Sequence, residues 1–518
     1  MRSADAVKEI RKLRAFAYDP DTQARLNFIP FPERLVELKR AFLEYGQEQG
    51  LDPGEIIFDF LDHHAVSEAA SYGGFPSRYP HWRFGMAYDQ MRKMYTWGLS
   101  TVYEMVINNR PAFAYLLQGI SEVMQRMVMA HVIGHCDFFR RNAYFAGTNR
   151  NMLNEMANHA ARARRYGERY GFERVERFLD AALSLENLID PGRLFEPEAR
   201  RILTGEEREE EESAASFSRP YLDVFSRRRG PAGKGDPGGG GNDERPAMKA
   251  FPEHPVQGVL DFLVDQAPLE DWERDLLDII RDEAYYYLPQ KLTKIMNEGW
   301  AVFWHSRIMV HRGLRPEWLT EFADENAKIL AAKRGQLNPY RLGFALFEHI
   351  RERWDKGRHG PDWERCTDRR ERRRWDTEEG RGMEKIFQVR SVHNDAQFVE
   401  AYLTPEFVSD RRLFVWRSRP PGGAAVLESR DFEKIRETLV SRLHNGGEPV
   451  IHLVDANHRN RSELYLLHRH DGVDLEIPWA RRTLRALFAV WRRPVSLETV
   501  FNEEQKVYSY DGEQDSED

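Results

Sequence analysis

Val128-Met129-Ala130-His131-Val132-Ile133-Gly134-His135-Cys136-Asp137-Phe138-Phe139 places two imidazoles four residues apart inside an apolar, helix-compatible run. Positions i and i+4 of a helix lie on one face, one turn apart. Two neutral imidazoles so placed are the donor pair of the helical zinc motif His-Glu-x-x-His. His131 and His135 are therefore candidate ligands of one divalent metal, with zinc the first expectation. Gly134 between them would let a neighbouring helix approach closely. Val132 stands where that motif carries its general-base Glu, so the segment points to a metal site more directly than to a reaction. The bland alternative is two core histidines hydrogen-bonded to buried groups; the paired spacing on an apolar helix argues against it.

Working outward, nineteen residues lie between His135 and Glu155, which sits in Asn154-Glu155-Met156-Ala157-Asn158-His159. A carboxylate on a second helix at about that distance is the third ligand of thermolysin-like zinc peptidases, which makes Glu155 a candidate ligand and His159 a residue that would orient the site. Asn297-Glu298-Gly299-Trp300-Ala301-Val302-Phe303-Trp304-His305 competes with it. A Glu buried among such aromatics is costly unless paired or bound to metal, so Glu298 is a candidate ligand or the general base that Val132 cannot be. His305 lies two turns further along that face, and Glu283, about four turns before Glu298, is a further supporting carboxylate. The stretch Ser71 to Gly85 mixes helix-breaking glycines and prolines with aromatics that want burial, and is expected as an ordered loop over the site. From it His81 and Arg83, with Tyr79, could bind a carboxylate or stabilise an oxyanion; Arg83 salt-bridging a core acid is the equal alternative. Asp137 follows the second histidine and could hydrogen-bond a ligand imidazole or cap local backbone. Cys136 reads as a small buried residue.

The composition bounds the class. At 518 residues, 41% hydrophobic and 12% aromatic, the chain can fill a large core, and two or three domains are expected. A net charge of -8 gives no support for a nucleic-acid binder. Two cysteines, Cys136 and Cys366, form no zinc-finger or redox spacing and fit a reducing cytosol. The N-terminus lacks an apolar stretch for a signal peptide, and no run of about 18 apolar residues occurs, so a cytoplasmic protein without a transmembrane segment is expected. No P-loop and no Gly-x-Ser-x-Gly elbow is present.

The pattern along the chain predicts a mainly α N-terminal domain, with a zincin-like helical core, followed by a small α+β C-terminal domain. Residues 1–203 read as a helical domain carrying the His-x-x-x-His segment. Residues 204–250, charged and then Gly/Pro-rich, read as a flexible insertion. Residues 251–350 continue the helical domain, with one long aromatic-rich helix from Glu283 to Met309. Residues 351–385 are a charged connector. Residues 386–501 form the α+β domain, with strands expected at 387–392, 413–416, 425–427, 450–454 and 463–467 and helices at 431–443 and 478–491. Residues 502–518 read as an acidic, frayed tail.

The residues quoted so far carry a resemblance to the stage V sporulation protein R (SpoVR) family. It rests on Tyr72 to Met86, Tyr103 to Asn109, Met129 to Phe139, Asn154 to His159, Tyr287 to Gln290, Lys294 to Ala301 and Arg459 to Leu466, and spans roughly Leu26 to Val500 outside the Gly-rich insertion. The resemblance implies a link to making the spore cortex, a peptidoglycan layer, in spore formers. It also implies association with a PrkA-type serine kinase and a von Willebrand-like protein, whose genes stand beside those of members in bacteria and archaea that make no spores. Three readings follow. The first is a metal-dependent amidase or peptidase acting on peptide or peptidoglycan-related bonds, with His131, His135 and Glu155 or Glu298 holding the metal. The second is a catalytically degenerate relative that serves as a regulatory scaffold in the kinase module. The third is a carboxylate-bridged pair of metals using Glu155, Glu298 and Glu283.

Overall fold

A computed structural model describes residues 32–96, 104–196, 251–332, 336–417 and 426–518; the expected insertion at 204–250 lies outside them. After helix α1 (Glu33–Glu48) come three strands: β1 (Ile56–Leu61), β2 (Glu104–Ile107) and β3 (Ala112–Leu117). They form a mixed sheet of order β1-β3-β2, with β1 parallel and β2 antiparallel to β3. All six residues of β1 and of β3 are buried, as continuous apolar runs in covered strands require. This sheet is an addition to the mostly helical first 200 residues that the pattern predicts. Short apolar runs such as Ile-Ile-Phe-Asp-Phe-Leu have no period that separates a buried strand from a buried helix.

The sheet feeds α2 (Glu122–Arg141), the helix that carries the two histidines. Ser121 caps it by accepting from the Met124 N–H, Glu122 sits in its first turn, and Arg140 and Arg141 in its last, each end suiting the helix dipole. Then follow α3 (Met152–Tyr170), α4 (Phe172–Leu183), α5 (Asp271–Leu292), α6 (Lys294–Ile308), α7 (Leu319–Ile329), α8 (Pro339–Asp355) and α9 (Gly382–Val392). α2, α6 and α8 pack by bare backbone. A Cβ on Gly134 would stand 2.7 Å from the Ala301 Cα, and Gly299 and Gly343 leave no room for a Cβ between α6 and α8. A mid-helix glycine costs about 1 kcal/mol against alanine; the close packing it permits is the compensation.

The single helix expected from Glu283 to Met309 is two. The chain breaks at Thr293, with φ -128° and ψ 20°, so Glu283 and Glu298 do not share a face. Asp395 caps the new helix, accepting from the Ile295 and Met296 N–H groups at 2.7 and 2.8 Å.

Residues 387–392, expected as a strand, lie in α9. Its Ile386, Val389 and Arg390 are buried at helical spacing, and six alternating residues were too few to tell the periods apart. α9 joins the same core as α2, α6 and α8, so the α+β unit does not begin at 386. Strands β4 (Val415–Arg417) and β5 (Val426–Ser429) pair with each other. The remaining strands, β6 (Ile451–His458), β7 (Glu463–His468), β8 (Val495–Phe501), β9 (Glu504–Tyr510) and β10 (Asp515–Glu517), form a sheet of order β10-β9-β8-β7-β6. The residues after Asn502 are thus sheet strands, where a frayed tail was expected. Helix α10 (Ile477–Trp491) covers this sheet, and Leu484, Leu487 and Leu466 share one core with Phe178, Leu179 and Leu276. Among the described residues no helix is long and apolar enough to cross a membrane.

Candidate metal centre

α2 presents His131 and His135 on one face, their rings 4.6 Å apart between centroids and nearly perpendicular. Both are buried, at 5% and 6% exposure. α6, drawn close by the Gly134–Ala301 contact, brings Glu298 from one side, and the head of β2 brings Glu104 from the other. His131 Nε2 lies 3.5 Å from Glu104 Oε1 and 3.6 Å from Glu298 Oε2. His135 Nε2 lies 3.9 and 3.5 Å from the same oxygens. These separations are too long for hydrogen bonds. They match the spacing of donors around one cation: ligands at about 2.0–2.2 Å on adjacent corners of a tetrahedron stand about 3.4 Å apart. Glu104 Oε2 and Glu298 Oε2, the latter the very oxygen that faces the imidazoles, are buried without a hydrogen-bond partner. Ligand atoms of Glu104, His131 and His135 all fall within 4.8 Å of one another. The donor set suits a divalent ion of the zinc, iron or manganese kind.

The far side of each imidazole is wired to the scaffold. His135 Nδ1 stands 2.9 Å from Asn297 Oδ1, His131 Nδ1 stands 2.9 Å from His305 Nδ1, and His305 Nε2 stands 3.0 Å from Asn326 Oδ1 on α7. With each Nδ1 spent on the scaffold, the Nε2 atoms face the carboxylates. The Tyr340 ring stacks on His131 at 6.1 Å between centroids.

The electrostatics separate the two acids. Burial, reinforced by the charge of Glu298, pushes the Glu104 carboxyl up to about 7 against the pull of His131. Burial also acts on Glu298, but the pull of His131 and His135 outweighs it and holds that carboxyl below its ordinary range. Burial and the neighbouring His131 bring His135 down to about 4 and His305 down to about 3. Burial opposes protonation of His131, yet Glu104 and Glu298 hold its imidazole above the ordinary value.

The structure thus brings His131, His135, Glu298 and His305 together. It puts the other expected residues elsewhere. Glu155, in the first turn of α3, is a partner of neither imidazole. His159 Nδ1 faces Glu283 Oε1 at 3.2 Å, and Glu283 pairs with Arg78 and accepts from the Tyr79 hydroxyl. That buried cluster ties the Arg78–Tyr79 loop to α3 and α5, and the break at Thr293 explains why Glu283 misses the site. With Glu155 and Glu283 apart, the two-metal arrangement loses its bridging acids. Asp137 turns from the imidazoles and accepts from Trp300 Nε1 at 2.9 Å and the Asp52 N–H at 2.8 Å. His81 Nε2 faces Asp180 at 3.1 Å and Arg83 pairs with Glu186 at 2.9 Å, so this loop does not cover the imidazoles. Cys136 is buried, and burial pushes its thiol up, away from nucleophilic use.

Four residues escaped the sequence reading: Glu104, Asn297, Asn326 and Tyr340. Glu104 left a trace, a lone carboxylate heading the apolar run Met105-Val106-Ile107. Asn326 and Tyr340 lie on other helices with no local pattern to mark them.

Comparison with known proteins places the chain. The sequence profile described as "SpoVR like protein" matches residues 31–448, and that described as "SpoVR-like C-terminal domain" matches residues 449–502. The two meet where the C-terminal sheet begins. The protein of Escherichia coli (strain K12) bearing the name "Uncharacterized protein YcgB" is 27% identical over 471 residues, covering 84% of this chain and 85% of the relative. No solved structure matches significantly. On these profiles, which cover nearly its whole length, the chain belongs to the SpoVR family.

Proposed function

We propose that this chain is a metal-dependent hydrolase of the amidase or peptidase type, with one divalent cation, zinc first, held by His131, His135 and Glu298. The observation that carries the reading is the spacing of donors: each of two imidazole nitrogens stands 3.5–3.9 Å from an oxygen of each of two carboxylates, both acids having an orphaned oxygen, in a largely buried cluster. Burying two carboxylates this way costs several kcal/mol unless a cation compensates. When bound, such a cation supplies Lewis-acid polarisation of a carbonyl.

The protein groups divide the remaining work by position. Glu104 reaches the cluster from β2 and is the farther acid from His135. It takes the place of the carboxylate that Val132 cannot supply, accepting a proton from water and returning it to the leaving amine. That two neighbouring acids are driven apart, one up and one down, supports a base and a ligand as their separate roles.

Metal analysis of purified protein tests the reading. About one equivalent per chain is expected in the wild type and none in His135→Ala. A wild type as metal-free as the variant, after expression with zinc, iron or manganese supplied, sinks the proposal.

A further inference from the structure

A cavity of about 990 Å3 lies away from the candidate metal centre, at the junction of α4, residues His81 to Arg83 and the C-terminal sheet with α10. This size is at the upper end of small-molecule sites. Its floor is apolar, with Leu183, Leu466, Leu484 and Leu497. It absorbs the loop motif that the metal centre leaves unused: His81, Trp82 and Arg83 all line it.

Two features define what fits. First, two indoles stand on its walls, Trp82 at 54% and Trp479 at 59% exposure. Neither is loose. Trp82 Nε1 donates to Asp180 Oδ1 at 2.6 Å, and the Arg482 guanidinium lies 4.8 Å over the Trp479 ring. They are fixed aromatic faces left to water. Second, charges of both signs stand on the wall, and several of them are paired. Arg83 pairs with Glu186 at 2.9 Å, Arg469 with Asp471 at 3.3 Å, and His470 with Asp474 at 2.9 Å. Six carboxylates and four guanidiniums line the cavity, so it carries no strong excess of one sign to draw a highly charged ligand. An amphipathic peptide would need an unbroken apolar stripe, whereas the exposed apolar groups here stand among ion pairs.

We propose that this cavity binds an uncharged polyhydroxylated ligand, a short neutral oligosaccharide, on Trp82 and Trp479. A sugar ring offers an apolar C–H face that stacks on an indole and hydroxyl edges that both donate and accept. Paired carboxylates and guanidiniums on the wall supply both kinds of partner. The site is independent of the metal reading, and its test reads binding alone.

Tryptophan fluorescence and saturation-transfer NMR on the full chain, with chitotriose and cellotriose as probes, test it. Saturable binding of at least one probe is expected. Trp82→Ala and Trp479→Ala should each weaken it about tenfold or more, while Trp82→Phe and Trp479→Phe, which keep an aromatic face, retain most of it. An octamer of lysine and a sulfated oligosaccharide serve as charged comparisons. No saturable binding of either neutral probe, binding indifferent to both alanine variants, or tighter binding of a charged comparison at the same indoles overturns the proposal.

Discussion

The Nδ1 atoms of His131 and His305 stand 2.9 Å apart in the core, and His305 Nε2 stands 3.0 Å from Asn326 Oδ1. A carboxamide oxygen can only accept, so the network assigns the His305 proton to Nε2. His305 Nδ1 then accepts, and His131 donates from Nδ1. The consequence reaches the opposite edge of the ring: with its Nδ1 proton given to His305, a neutral His131 has its Nε2 lone pair toward Glu104 and Glu298.

His305→Phe removes that acceptor while filling its volume. Metal affinity is expected to fall about 10–100-fold, the usual effect of losing a partner behind a ligand histidine. Competition against a chromogenic chelator measures it. Asn326→Ala should shift affinity in the same direction by less. Unchanged affinity in both variants would mean the wiring does not set the tautomer.

The two acids should separate by experiment. Glu298→Gln removes the carboxylate that faces both imidazoles at 3.5–3.6 Å, and the purified variant is expected without metal. Glu104→Gln is expected to keep its metal and to lose turnover of any amide substrate the wild type cleaves, by about 100-fold or more. Metal loss in Glu104→Gln with retention in Glu298→Gln would exchange the assigned roles.

Stability should depend on pH through Glu283. Burial drives its carboxyl up, but Arg78 and His159 prevail and hold it below the ordinary range. A carboxyl depressed in the folded state contributes stability above its unfolded value of about 4.3, and loses it as pH falls through the folded value. Glu283→Gln leaves Arg78 buried without its counter-charge, a change of about 3–5 kcal/mol at neutral pH. Denaturant unfolding of both proteins should show this gap at pH 7 and its narrowing below about pH 4. A gap that widens on acidification would contradict the sign.

Close helix contact makes its own prediction. In Gly134→Ala the added methyl meets the Ala301 backbone at 2.7 Å. Overpacking of this kind costs about 1–3 kcal/mol, and because α2 and α6 carry the site residues, metal affinity should fall with it. Gly299→Ala, where the obstacle is the backbone of Gly343, should be the more severe. Thermal unfolding with metal titration reads both. A Gly299→Ala variant as stable as wild type would count against the packing described.

Some of this molecule was written locally. Helical periodicity and spacing were enough to put His131 and His135 on one helix face, and the cost of an acid among aromatics singled out Glu298. The helices at 432–443 and 477–491 and four of the C-terminal strands were also legible. Where local pattern failed, a non-local cause decided. The break at Thr293 depends on Asp395, 102 positions later in the chain, accepting from the first turn of α6. α9 is a helix because its buried face meets α8 and α2, whatever its six-residue alternation suggests. The final strands exist because β8 supplies a ladder for β9, and β9 for β10.

The sequence by itself determined the donor pair, because two side chains one helical turn apart need only the helix to meet. It could not choose between Glu155 and Glu298, nor reveal Glu104. Which acid reaches an imidazole depends on how helices and strands far apart in the chain cross in space, and that crossing was decided by tertiary packing, through the bare backbone at Gly134 and the edge position of β2.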